Sequence, residues 1–352
     1  MSRAQEYSLA IATYNRADTL LTCLRLAVAQ NRPPSEIVVV DSSDDWARTR
    51  QRALDEVGRL APNVRWRYEQ ARTRSSATQR NEAIALASTG VLFMIDDDSF
   101  MYPECAERVM AIYDADTAAR VVGVGPMESA ASPLSPQAPA DNEHMVSGPT
   151  SLKARLRWQV ASLAMVERLL LPYDTSYPDH PVPPGLEKLD FVPTRYLSGM
   201  RMTWRTGPAR KVMFDETLQR YAAAEDMDFS YRISRFGVIV NALRARLFHA
   251  QDPSARLTQH TRALLGMTNL AYLYKRNGQA PNTLLLRYTG RVLTRIAVDL
   301  ARDLSRGRAS MPYVRADLRA LQTIGEMASI DKGRLTEWYL KVQDRILDAN
   351  LA

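Results

Sequence analysis

The chain has 352 residues, 46% of them hydrophobic and 24% charged, which excludes wholesale disorder, a collagen-like repeat and a coiled-coil rod. No apolar run reaches the roughly 18 residues of a membrane-spanning helix. The start, MSRAQEYSLAIATYN, lacks a signal-peptide layout, and two cysteines, Cys23 and Cys105, cannot build a disulfide scaffold, so a cytoplasmic protein is expected.

The formal charge of +7 is unevenly spread. Between Pro253 and Ser310 ten basic residues face two acidic ones, Asp299 and Asp303, a net of +8 that leaves the rest of the chain near neutral. Such a local excess suggests a surface for phosphates, acidic lipid or nucleic acid.

In chain order, Tyr7 to Thr13 reads as a buried strand, and Ala17 to Gln30 as a helix with Leu20, Leu21, Leu24 and Val28 at helical spacing. Glu36 to Asp41 (EIVVVD) is a β-branched strand, Asp45 to Val57 a helix, Val64 to Glu69 a strand and Ser75 to Ser88 a helix. Val91 to Asp96 (VLFMID), a helix over Glu104 to Asp114 and a strand over Arg120 to Val124 complete the first region. This alternation predicts an α/β fold, a Rossmann-like nucleotide-binding domain with a mostly parallel central sheet. Ligands bind such sheets outside the carboxyl ends of the strands. Here those ends carry Thr13 to Arg16, Asp41 to Asp44 and Asp96 to Ser99.

The alternation breaks over 127–195. Ala130 to Asp141 is a loop, Ser151 to Leu171 an amphipathic helix, and Pro172 to Pro193 an irregular proline-rich loop. A strand over Arg195 to Trp204, a helix over Glu225 to Phe236 capped by Gly237, and a strand over Val238 to Asn241 follow. Almost everything from Thr258 onward reads as helical. The expected regions are therefore 1–126, 127–195, 196–257 and a helical C-terminal region, 258–352.

Asp96, Asp97 and Asp98 end a strand, and three adjacent carboxylates repel one another unless a cation neutralises them. Oxygen ligands favour Mg2+ or Mn2+. The plainer alternative is a solvated acidic turn. In the last helix region, Arg287, Arg291, Arg295, Arg302 and Arg306 fall at spacings of 4, 4, 7 and 4 and form one stripe, with some of Leu285, Val292, Ile296 and Leu300 facing the body. Such a stripe can lie on an anionic membrane surface, or be a solvated face. Nucleic acid is not an expected partner, because there is no RNA- or DNA-binding motif and little aromatic interleaving.

The segments IATYNRADTL, IVVVDSSDD and RNEAIALASTGVLFMIDDDSFMYP, followed by FDETLQRYAAAEDMDFSYRISRFG, give the chain a family likeness. In order and spacing they resemble the family 2 glycosyltransferases of the GT-A fold, over about Tyr7 to Val124 and Tyr196 to His249. The resemblance implies a metal-dependent, inverting transferase of one sugar. The donor would be a nucleotide-sugar, UDP-linked in the first instance, and the acceptor a glycan or lipid-linked precursor. By the same resemblance Thr13, Tyr14, Asn15 and Asp41 line the donor's base and ribose, Arg80 stands near its diphosphate, and Asp96 and Asp97 bind donor. Asp96 and Asp98 match the two acids of the DxD motif, with Ser99 departing from the common pattern. His249 matches a position where some members place a metal-ligating histidine, against the commoner structural role of a lone His.

Glu225 and Asp226 match the pair from which a carboxylate acts as general base, Asp226 being the first choice. Their place in a helix's first turn is expected to keep them ionised through the macrodipole, and Asp228 reads as structural or catalytic. Two other readings stand beside this one: a sugar nucleotidyltransferase, although TYNRAD is no glycine-rich phosphate loop, and a glycosyltransferase-like membrane scaffold without activity.

Overall fold

The computed structural model describes residues 4–135, 173, 176–186, 188–220, 222–252, 254, 257–278 and 283–348, and the backbone alone for Gln259, Leu284, Leu285, Arg287, Gly290, Arg291 and Thr294. The expected Ser151 to Leu171 helix, His144 and the second half of the expected loop over Ala130 to Asp141 lie outside the described residues. The described residues fall into two compact units, one of residues 4–135, 177–216 and 225–254, the other of 217–224 and 257–348.

The first unit is a nine-stranded sheet with helices. Its first half is β1 (Tyr7–Thr13), α1 (Ala17–Val28), β2 (Glu36–Asp41), α2 (Trp46–Glu56), β3 (Arg65–Gln70), α3 (Ser76–Leu86), β4 (Val91–Asp96), β5 (Ser99–Met101), α4 (Cys105–Ala115) and β6 (Val121–Ser129). β7 (Phe191–Thr194), β8 (Arg201–Arg205), α5 (Thr206–Val212), α6 (Glu225–Ile233) and β9 (Val238–His249) follow. The strand order is β3-β2-β1-β4-β8-β6-β9-β5, with β7 on β9. All six residues of β2 and five of six in β4 are buried, as expected of strands covered on both faces.

Neighbours β3, β2, β1 and β4 run parallel; β8, β5 and β7 pair antiparallel with their partners. β1 sits between β2 and β4, so the chain winds out in both directions from β1. The crevice at such a switch point is where ligands bind. Register aligns Thr13 with Asp41, and Ala12 with Asp96, at one edge of the sheet.

Several elements differ from the sequence-based expectation. The strand expected from Arg195 begins only at Arg201. β7 falls inside the expected proline-rich loop, where Pro193 is accommodated because β7 pairs with β9 alone. β9 runs on to His249, and β5 pairs antiparallel with its end, setting Ser99 opposite His249. Cys23 and Cys105 are both free and buried.

The second unit packs four helices, α7 (Gln259–Asn277), α8 (Leu284–Ser305), α9 (Pro312–Ser329) and α10 (Leu335–Asp348). Thr258 caps α7 by accepting from the Thr261 amide at 3.2 Å. Asp303 at the end of α8 caps α9, accepting from the amides of Tyr313 and Val314 at 3.1 and 3.3 Å. Lys275 donates to the carbonyls of Met327 and Ala328, which end α9, and Tyr339 of α10 stacks on Tyr272 of α7 at 4.5 Å.

The arginine stripe does not face outward as a unit. Arg295 is held by Asp299 and by Asp317 of α9, at 3.2 and 3.0 Å, and Arg302 reaches Asp299 at 2.6 Å. Buried acids on two helices hold these cations and draw Arg295 inward, and Leu300, placed among residues facing the body, is 37% exposed. Among the described residues no helix is long and apolar enough to cross a membrane.

Candidate active site

The site grows from the carboxyl ends of β1 and β4. Thr13 is buried, and its hydroxyl donates to Asp97 at 2.7 Å. Arg16, just beyond, reaches Asp97 at 3.0 Å and Asp98 at 3.5 Å, and its other nitrogens bind the carbonyl oxygens of Asp252 and Ser254. One guanidinium thus ties the first loop, the acidic triplet and the segment after β9 together. Arg16 was not among the expected site residues, although a cation directly after TYN, facing three acids, was the available signal.

β4 ends at Asp96, and the turn at Asp97 and Asp98 divides the triplet. Asp97 is 3% exposed and turned to Thr13 and Arg16, and burial lifts its carboxyl to about 7. Expected at the donor, it has both oxygens engaged here by Thr13 and Arg16. Asp96 and Asp98 converge instead with His249, whose Nε2 lies 3.1 Å from Asp98 Oδ1. One ligand atom from each of the three lies within 4.8 Å of the others. Two carboxylates and an imidazole drawn so close fit a divalent cation of the Mg2+ or Mn2+ kind. The pairing of β5 with β9 is what delivers His249.

Arg80, in α3, is buried and spans the two acidic motifs. One arm donates to Asp96 at 2.9 Å and the other to Glu225 at the start of α6. Expected near the donor diphosphate, Arg80 stands here as a buried clamp between Asp96 and Glu225. Gly199 closes the clamp, since a Cβ there would lie 2.7 Å from Arg80 Nη2. The Gly199 amide donates to Asp226 Oδ2 at 2.9 Å, and the Met227 amide to Oδ1 at 2.8 Å. Gly199→Ala is expected to displace the guanidinium and lower kcat at least about tenfold with little change in melting temperature, since small misplacements at a reacting centre are costly. Steady-state kinetics beside a thermal melt checks this.

The macrodipole argument for Glu225 and Asp226 fails in direction. Burial, with the neighbouring Asp226 carboxylate, lifts Glu225 to about 8, and burial raises Asp226 above its ordinary value, in both cases against the pull of Arg80. A base with a raised pKa works only above that pKa, so activity should be lost as pH falls through it. The acid limb of the kcat–pH profile is therefore expected above the ordinary carboxylate range, and a limb near the unperturbed Asp value of about 4 would contradict the burial argument. Asp228 is structural: it is buried and holds Arg232, at 2.6 Å, against the Val212 and Met213 carbonyls.

The remaining expected donor residues divide between rim and interior. Asn15 is exposed, in the left-handed region (φ 49°) that Asn tolerates. Its amide donates to Ser43 Oγ at 2.7 Å, and its side chain donates to Asp44 at 2.9 Å. Tyr14 is half-buried under the Arg74 guanidinium, 3.5 Å from the ring centre. Asp41 is fully buried, accepting from the Tyr68 hydroxyl at 2.6 Å and the Ser43 amide at 2.7 Å. Expected to face the base or ribose, Asp41 here supports the rim from beneath, through Ser43 to Asn15. Gln79, another residue the sequence did not single out, ties the ends of β1 and β2 by donating to the Thr13 and Val40 carbonyls. His180 and His260 bond backbone carbonyls of Ser234 and Pro312.

The profile described as glycosyl transferase family 2 matches residues 8–160. The chain carries a family 2 glycosyl transferase domain. It is 37% identical over 95 residues to the succinoglycan biosynthesis protein ExoU of Rhizobium meliloti (strain 1021), a match covering 26% of each chain, so it spans about a quarter of that relative's length. By structure the chain is similar to the mannosyltransferase PcManGT of Pyrobaculum calidifontis, solved with GDP-Man and Mn2+. The TM-score is 0.53 at 14% identity, over 99% of this chain and 87% of that one. It is also similar to GalNAc-T7 solved with UDP, GalNAc and Mn2+, with a TM-score of 0.54 at 14% identity, over 96% of this chain and 57% of that one. At that identity the likeness shows the fold alone, and the fold is GT-A, with a helical C-terminal region.

Proposed function

We propose that this family 2 domain is an inverting, metal-dependent glycosyltransferase. It moves one sugar from a nucleotide-sugar, UDP-linked in the first instance, to a hydroxyl of a glycan or lipid-linked precursor at an anionic membrane surface. The observation that carries the proposal is the convergence of Asp96, Asp98 and His249 within 4.8 Å, joined through Arg80 to Glu225 and Asp226. PcManGT and GalNAc-T7 were each solved with Mn2+ and a nucleotide or nucleotide-sugar, and ExoU is a succinoglycan biosynthesis protein.

A divalent ion held by Asp96, Asp98 and His249 would stabilise charge on the leaving diphosphate. The other roles fall to the chain itself. Asp226, partly buried and held by two backbone amides, takes the proton from the attacking hydroxyl. Glu225 is less suited, being 7% exposed and bound to Arg80. Asn15 and Tyr14 offer an amide and a ring at the rim where a base and ribose would lie.

The leaving group tests this reading. Incubated with nucleotide-sugars and Mn2+, the full chain should release nucleoside diphosphate. Pyrophosphate formation would favour a nucleotidyltransferase, and no turnover of any donor an inactive scaffold.

A further inference from the structure

We propose that α8 lies in the plane of an anionic membrane surface with a leucine stripe inserted. Leu286, Leu293, Leu300 and Leu304 are 82, 58, 37 and 60% exposed. At 100° per residue these four, with exposed Ala297 among them, fall in a sector about 60° wide. They run along roughly 27 Å of helix at 1.5 Å per residue. The far side is the packed one: Tyr288, Val292 and Asp299 are buried, and Arg295 bonds Asp317 of α9. The helix thus turns its apolar edge outward, the reverse of a helix covering a globular core, and a contiguous exposed stripe of this kind marks an interaction surface.

Charge selects the partner. From residue 257 to 325 the chain holds eleven Lys and Arg against three acids, Asp299, Asp303 and Asp317. Those acids are 2, 0 and 0% exposed, whereas Arg306, Arg315 and Arg319 are exposed. Among the described residues, this stretch therefore shows solvent no acidic side chain. Exposed Glu326 of α9 lies just beyond this stretch, so two-fold pairing of α8 with a second copy would set mainly like charge against like. An anionic bilayer surface offers both what the leucines need and what the arginines need. No described helix can cross a membrane, so the attachment is in-plane. The inference deepens the reading of a transferase acting on a lipid-linked acceptor, but membrane binding is read without catalysis.

The test is flotation of the full chain with vesicles of phosphatidylglycerol and phosphatidylcholine, and of phosphatidylcholine alone, at low and high salt. The wild type should float with the anionic vesicles and keep part of that binding at high salt, because the leucines are not screened. The double variant Leu293→Ser, Leu300→Ser should lose at least about tenfold of its vesicle-bound fraction at both salts. Its melting temperature and its donor hydrolysis without vesicles should match the wild type, so unfolding, or a failure of the transferase reading, would show in those arms alone. A wild type that never floats, a variant that floats equally well, or a leucine-dependent dimer seen by light scattering would overturn the proposal.

Discussion

Asp98→Asn is expected to remove metal-dependent turnover, by at least about 100-fold, while the chain stays folded. Asp98 is 1% exposed; it accepts from the Asp252 amide at 3.0 Å and lies 3.1 Å from His249 Nε2. Asn keeps the shape and an oxygen for the Asp252 amide, so the backbone after β9 retains its anchor. The negative charge that attracts a divalent ion is what goes. Two readouts separate these effects. Saturating Mn2+ should raise the melting temperature of the wild type, since binding at a hundredfold excess over Kd adds about 2.7 kcal/mol of stability. The variant should melt cooperatively without responding to Mn2+. Full activity of Asp98→Asn in the presence of Mn2+ would remove Asp98 from the metal site.

Asp226→Asn should lower kcat by roughly 100-fold or more and leave donor affinity nearly unchanged, the signature of a lost general base. Asn can still accept from the Gly199 amide, so the loop against Arg80 keeps one tether. Glu225→Gln should be milder at the chemical step, because Glu225 is engaged with Arg80 and faces the clamp. Kinetics of both variants with donor titrations decides between them. If Glu225→Gln is the inactive enzyme and Asp226→Asn is not, the base is Glu225.

Much of the fold was legible because β1, β2 and β4 are buried on both faces and so read as unbroken apolar runs; their observed limits are those expected. β5 and β7 were not legible. Three or four residues carry no period, and their existence depends on β9, which lies more than forty residues beyond both in the chain. The acidic triplet was legible as a site, but its division was not, because Asp97 and Asp98 lie in a turn that follows no strand period. The Arg80 clamp could not be read at all. It joins residues 145 apart, and only the folded chain shows that Gly199 leaves room for the guanidinium. The arginine stripe on α8 was legible as a stripe, and its direction was not, because the deciding partner, Asp317, sits on another helix.

The central claim is that Asp96, Asp98 and His249 form one metal centre serving a nucleotide-sugar transferase. Its most direct test is nucleoside diphosphate release by the metal-stripped chain, measured as Mn2+ is restored, in the wild type and in His249→Ala. The wild type should be silent after chelation and recover on titration. His249→Ala should need much more Mn2+ for the same recovery, by about 10- to 100-fold. Turnover that persists unchanged in the stripped protein, or a variant that recovers at the wild-type Mn2+ concentration, would contradict the account.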